Sequence, residues 1–144
     1  MKRELTETQS ANGFANRCLW VAARRSKLLP LGGRVDRYVI EQIAERIRQA
    51  TAGIVEGETL FDAAARGLWV ERYAKISEEK PGLYGALIAR SEAHAIRIAM
   101  IYALLDGQLQ IGEQHLRAVF EVVRYCNDSV RYIFGDATGD DRRR

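Results

Sequence analysis

The sequence has little of the chemistry that announces an activity. Among its 144 residues stand only two cysteines, two histidines and two prolines. Cys18 and Cys126 are too far apart for metal-ligand spacing, and both read as free thiols in a reducing cytoplasm. His94 and His115 have no cysteine or carboxylate at ligand spacing. Each reads as a solvated or hydrogen-bonded surface histidine, and no metal site is expected. No Gly-Lys pair occurs, which excludes the glycine-rich loop that cradles a triphosphate. No Ser/His/Asp or Cys/His set is visible, and Glu78-Glu79 reads as a solvated face rather than an acid/base pair. No apolar run approaches the roughly 20 residues of a membrane span. Met1-Lys2-Arg3 leads into polar residues instead of the apolar stretch of a signal peptide.

What is present describes one globular domain. Hydrophobic residues make up 47% and charged residues 28%, and the chain is long enough to bury a core. The formal net charge of +3 permits a nucleic-acid partner without requiring one.

Along the chain the pattern is mainly helical. Glu4 to Ser10 reads as a polar turn or short helix. Asn12-Gly13 is a turn signal, and the apolar run behind it reads as a buried β-strand near residues 18–24. Gly32-Gly33 breaks the chain. Val35, Val39, Ile43 and Ile47 then recur every four residues, which predicts an amphipathic helix ending near Gly53. Thr59-Leu60-Phe61-Asp62 has the form of a capping box opening a second helix, with Ala65, Leu68, Trp69, Tyr73 and Ile76 on one side. Lys80-Pro81-Gly82 ends it.

A third helix is expected from about Leu83 to Asp106. Its second half, Ile98 to Leu105, is apolar nearly all round, as at the centre of a bundle. Gly107 terminates it, Ile111 is a short extended anchor, and a fourth helix runs from about Glu113 to Phe134. Leu116, Val119, Phe120, Val123 and Ile133 supply its buried face, and Asn127-Asp128-Ser129 marks a kink. The organisation is then an end of a core over 1–33, a bundle of about four helices over 34–135, and a disordered charged tail over 136–144.

One segment imitates a catalytic element. Ala99 to Leu105 followed by Asp106 has the look of an apolar strand with a magnesium-binding acid. The plainer reading is the end of a long buried helix. The arginines carry more. Arg17 stands where the turn meets the expected strand, and Arg90 and Arg97 are seven apart on one expected helix, hence on nearly the same face. A guanidinium held this way can reach a phosphate on a neighbouring subunit. The alternative is an ion pair with a nearby carboxylate such as Glu92.

Three blocks carry a family resemblance. They are Asn12-Gly13-Phe14-Ala15-Asn16-Arg17-Cys18-Leu19-Trp20-Val21 with Arg24-Arg25-Ser26-Lys27-Leu28-Leu29-Pro30, then Arg90 through Gly107, then Ile111, His115-Leu116, Ala118, Tyr125-Cys126, Ser129 and Ile133-Phe134-Gly135. Together with Trp69 and Tyr73 they resemble the C-terminal part of a bacterial family of P-loop ATPases of unknown function. These are primase-associated, helicase-like proteins of phages, plasmids and integrated elements. Arg90 through Arg97 is also similar to the lid helix of AAA+ helicases of the minichromosome maintenance type.

The resemblance implies a lid-like module that closes on nucleotide, with Arg17 as an arginine finger, Arg90 as a γ-phosphate sensor and Arg97 as a weaker phosphate contact. It also implies ATP and magnesium, a ring of identical subunits, and DNA as a partner of the complete assembly. The family's nucleotide-binding core precedes the Asn12-Gly13-Phe14 block, and these residues do not contain it. The chain is therefore expected to depend on a core supplied from outside it, to be inactive alone, and to self-associate through its apolar strand. A second class of function stays open. Arg24, Arg25 and Lys27, with Arg142-Arg143-Arg144, would let a stand-alone helical module contact nucleic-acid phosphates.

Overall fold

A computed structural model describes residues 13–54 and 57–135. The expected N-terminal turn over Glu4 to Ser10, Asn12, the charged tail and its three arginines lie outside the described residues.

The fold is mainly α. After a 3-10 turn at Ala15–Arg17 come α1 (Arg37–Thr51), β1 (Leu60–Phe61), α2 (Ala63–Ile76), α3 (Gly82–Ile88), α4 (Ser91–Leu105), β2 (Gln110–Ile111) and α5 (Glu113–Phe134). The two strands pair in parallel, Leu60 with Gln110 and Phe61 with Ile111. Each leads straight into a helix, so the ladder sets the starting points of α2 and α5 side by side. Asp62, immediately after β1, donates its N–H to Ile111 O at 3.0 Å.

α5 is the axis of the bundle and packs on α2, α3 and α4. Its buried positions Leu116, Val119, Val123, Cys126, Val130 and Phe134 recur at three- and four-residue steps, the spacing of one helix face. α4 meets it with Ser91, Ala95, Ala99 and Ala103, a ridge of small residues four apart that lets the two backbones come close. The main core joins these alanines to Leu116, Val119, Val123, Ala65, Leu68 and Ile111. Leu116 and Val119 are fully enclosed, and each such burial stabilises by about 1.5–3 kcal/mol. Trp69 stacks between Phe61 and Phe120, closing one end.

Several expectations change here. No strand forms over residues 18–24. The backbone is extended at Cys18, but no second strand offers it a ladder, and it lies against α5 instead. Trp20 packs edge-on to Phe134 at 5.0 Å, and Tyr125 Oη donates to Ala22 O. The short strands sit elsewhere, at 60–61 and 110–111.

The expected third helix is two helices. α3 ends at Ile88 and α4 begins at Ser91, whose hydroxyl donates to Ile88 O at 2.8 Å across the joint. α4 is not enclosed all round, since Ile96, Ile101 and Leu105 remain exposed. The cap of α2 is Asp62, whose carboxylate accepts the Ala65 N–H at 2.7 Å, with Thr59 one residue ahead of β1. α5 runs unbroken through Asn127-Asp128-Ser129, and Ser129 Oγ donates back to Tyr125 O. α1 forms close to where the periodicity put it, yet buries none of its residues. Val39, Ile40, Ile43 and Ile47 stay about half exposed, because the helix leans chiefly on α4.

The strand look-alike at Ala99 to Asp106 is helix. α4 closes in a Schellman motif, with Gln108 N–H on Ala103 O at 2.8 Å and Gly107 N–H on Leu104 O at 3.0 Å. Gly107 takes φ 69°, which only glycine adopts without strain.

Candidate functional site

The structure draws two of the arginine-bearing segments together. Ala15, buried at 2% exposure, plugs a second core formed by Leu87, Val130 and Phe134. That plug fixes the 3-10 turn against α3 and α5. Trp20 closes the turn by donating its indole N–H to Ala15 O at 3.1 Å. The next residue, Asn16, offers its carbonyl to His94 Nε2 at 2.9 Å, across 78 positions of sequence. The ring nitrogen must donate there, because a carbonyl only accepts. Arg17 follows directly and is exposed. Asn16 Oδ1 is buried and accepts no hydrogen bond from the described residues.

Arg90 sits at the N-cap of α4, one turn before His94, with φ −120° and ψ 21°. It is half-buried, and its carbonyl accepts the His94 N–H at 2.9 Å. Arg97 lies one turn beyond His94 and is exposed. Arg90 therefore stands in the joint between two helices and not on one continuous helix with Arg97, as the spacing had suggested. Neither forms an ion pair among the described residues, so the Glu92 pairing is not made.

Arg24, Arg25 and Lys27 fall in the irregular stretch between the 3-10 turn and α1, and all three are exposed. They have no partner in regular structure and are not gathered with Arg17 by any described hydrogen bond.

The histidines divide. His94 is half-buried and hydrogen-bonded, as above. His115 is not a surface residue: only 2% of it is exposed. Its Nδ1 accepts the Gly112 N–H at 2.9 Å, and its Nε2 meets Asp106 Oδ2 at 3.1 Å. Asp106, the carboxylate that would have mimicked a magnesium ligand, is engaged in this contact. Among the described residues no three histidine, cysteine or carboxylate side chains gather as a metal site would require. Cys18 is exposed and Cys126 buried, both free, and burial pushes the Cys126 thiol up from its ordinary range. Glu78 and Glu79 are exposed, and the Lys80 ammonium beside Glu78 holds that carboxyl below the usual carboxylate range.

Sequence reasoning missed a groove. α2, the loop after it, α3 and α5 enclose an open channel of about 570 Å³. Its floor is apolar, with Leu68, Ile76, Ile88, Phe120 and Val123, and Tyr84 stands at its side. Six cationic side chains line it, Arg72, Lys75, Lys80, Arg117, Arg124 and Arg131, against three carboxylates, Glu78, Glu121 and Asp128. The signal available in the sequence was the seven-residue spacing of Arg117, Arg124 and Arg131, which places them along one face of α5.

No helix of the described residues is long and apolar enough to cross a membrane. Comparison with protein-family models, with curated proteins and with solved structures finds no match to this chain.

Proposed function

We propose that this chain is the arginine-bearing, lid-like helical module of a primase-helicase-type ATPase of a mobile element, acting on nucleotide held by a core outside these residues. The observation that carries the reading is the Asn16–His94 hydrogen bond. It ties the segment ending in Arg17 to the helix flanked by Arg90 and Arg97, so two separately resembling blocks form one rigid unit. A guanidinium whose backbone is anchored in this way starts from a fixed point, which favours stabilising a developing phosphate charge. Arg17, exposed beside a buried anchor, takes the role of finger in trans. Arg90, held in the α3–α4 joint, takes the role of sensor.

Magnesium belongs with the core in this reading. Asp106, the carboxylate with the look of a magnesium ligand, is turned to His115.

ATP turnover and nucleotide binding, measured for the chain alone and joined to a P-loop core encoded beside it, test the proposal. Turnover is expected only in the joined protein. There, Arg17→Ala abolishes it while nucleotide binding stays nearly intact. Unchanged turnover in that variant removes the finger role, and turnover by the chain alone overturns the dependence on a core.

A further inference from the structure

The groove between α2, α3 and α5 is lined by none of the arginines invoked above, and it points to a ligand of its own. We propose that it seats a single strand of nucleic acid, with phosphates along the cationic walls and bases against the apolar floor.

Three features of the groove favour a linear polyanion. First, Arg117, Arg124 and Arg131 recur every seven residues on α5. At about 1.5 Å rise per residue they form a rail roughly 21 Å long. An array of that length serves a chain of phosphates and is more than one small anion needs. Lys75 and Arg72 on α2 form the facing wall.

Second, the cations are available. Arg117, Arg124 and Arg131 are each more than half exposed, and among the described residues their ion pairs are with carboxylates of their own helix, Glu113, Glu121 and Asp128. Exposed pairs of this kind are weak, and a phosphate oxygen replaces a carboxylate on a guanidinium fork without loss of geometry. Lys75 makes no ion pair among the described residues and acts on Glu78 only through its field.

Third, the floor is suited to bases. Phe120 and Tyr84 are half-buried, and Arg131 already lies over the Tyr84 ring at 4.7 Å. A basic track with aromatic and apolar surface beneath is the arrangement by which single strands are held without sequence preference.

The test is fluorescence anisotropy of the purified chain with labelled oligothymidylate and oligouridylate, across a salt series. Binding at low salt is expected, with log K falling linearly against log salt. Arg117→Gln with Arg124→Gln should weaken binding about tenfold or more and flatten that slope by about 1.4, or 0.7 for each phosphate no longer neutralised. Circular dichroism of the double variant should match the parent, since only exposed pairs are removed. Neutralising Arg24, Arg25 and Lys27 together should leave binding unchanged.

Equal affinity for both oligonucleotides is the expected outcome of a groove that reads backbone and base faces. A preference for one assigns the strand type within the same proposal. Four results overturn it: no binding at low salt, binding indifferent to the groove variant, binding abolished with Arg24, Arg25 and Lys27 instead, or polyglutamate competing as well as the oligonucleotide. The last would make the groove a seat for an acidic peptide. None of these results bears on Arg17 or Arg90, so failure here is distinct from failure of the lid reading.

Discussion

Asp106 ends α4 and His115 begins α5, and a 3.1 Å hydrogen bond joins them. The backbone N–H of Gly112 can only donate, so His115 Nδ1 must accept and Nε2 must carry the proton that goes to Asp106. One imidazole thus caps the start of one helix and holds the end of another.

Replacing His115 with alanine leaves the Gly112 N–H buried without a partner and opens a cavity under the β2–α5 corner. The expected cost is about 2–3 kcal/mol. Asp106→Asn, at a side chain that is 61% exposed, should cost no more than about 1 kcal/mol. Urea unfolding of both variants measures the difference. Equal losses would show that the cap on Gly112 contributes little.

His94→Ala cuts the tether to Asn16, a loss of about 1 kcal/mol of local stability. The effect should be confined to the segment around the 3-10 turn. Trypsin is expected to cut after Arg17 faster, and the Trp20 emission to shift toward that of a solvated indole, with helix content unchanged. Unaltered cleavage would mean that Ala15 and Trp20 hold the segment without help from His94.

Two glycines make opposite predictions. A Cβ on Gly85 would stand 1.6 Å from the carbonyl oxygen of Lys80, so the loop between α2 and α3 must move to admit it. Gly85→Ala is expected to destabilise by about 3 kcal/mol. Gly67, inside α2, has nothing within 4 Å of the same position. Gly67→Ala should stabilise by about 0.5–1 kcal/mol, the helix-propensity difference. Thermal unfolding of the pair reads both signs.

The thiols should react in order. Cys18 is exposed, while Cys126 is buried and its thiol is raised by desolvation. An alkylating reagent at neutral pH is expected to label Cys18 first and Cys126 only on unfolding. The sign of the linkage follows. The folded chain holds the Cys126 proton more tightly than the unfolded one, so this group's contribution is intact at neutral pH. It is lost as pH rises above the ordinary thiol range. Simultaneous labelling of both residues under native conditions would contradict the burial of Cys126.

Much of the helical framework was legible in the sequence. α5 announced itself through Leu116, Val119, Val123 and their neighbours, because a long helix with one buried face repeats its signal many times. Gly107 marked a real terminus for the same local reason. The apolar run after Asn16 misled, since β-branched and aromatic residues say nothing of a ladder partner, and without one Leu19 and Val21 stay exposed. The α3–α4 joint carries neither proline nor an interior-breaking glycine at Ala89-Arg90, so the sequence offers no breaker signal there. The sequence alone makes His115 look like a surface residue because its partners, Gly112 and Asp106, belong to a corner that exists only after α4 and β2 have packed. The groove was hidden for a similar reason, since its two walls come from segments some forty residues apart. The positions of Arg17 and Arg90 were legible as residues, and their linkage through Asn16 and His94 was not.

The parallel pairing of Phe61 with Ile111 has a consequence for the order of folding. Closing a loop of about 50 residues costs roughly 3–4 kcal/mol of chain entropy. A ladder only two residues long returns few hydrogen bonds against that cost. It therefore forms only after the intervening helices have already brought its ends near each other. The strands that look like the seed of α2 and α5 are late arrivals, set in place by the helices they precede.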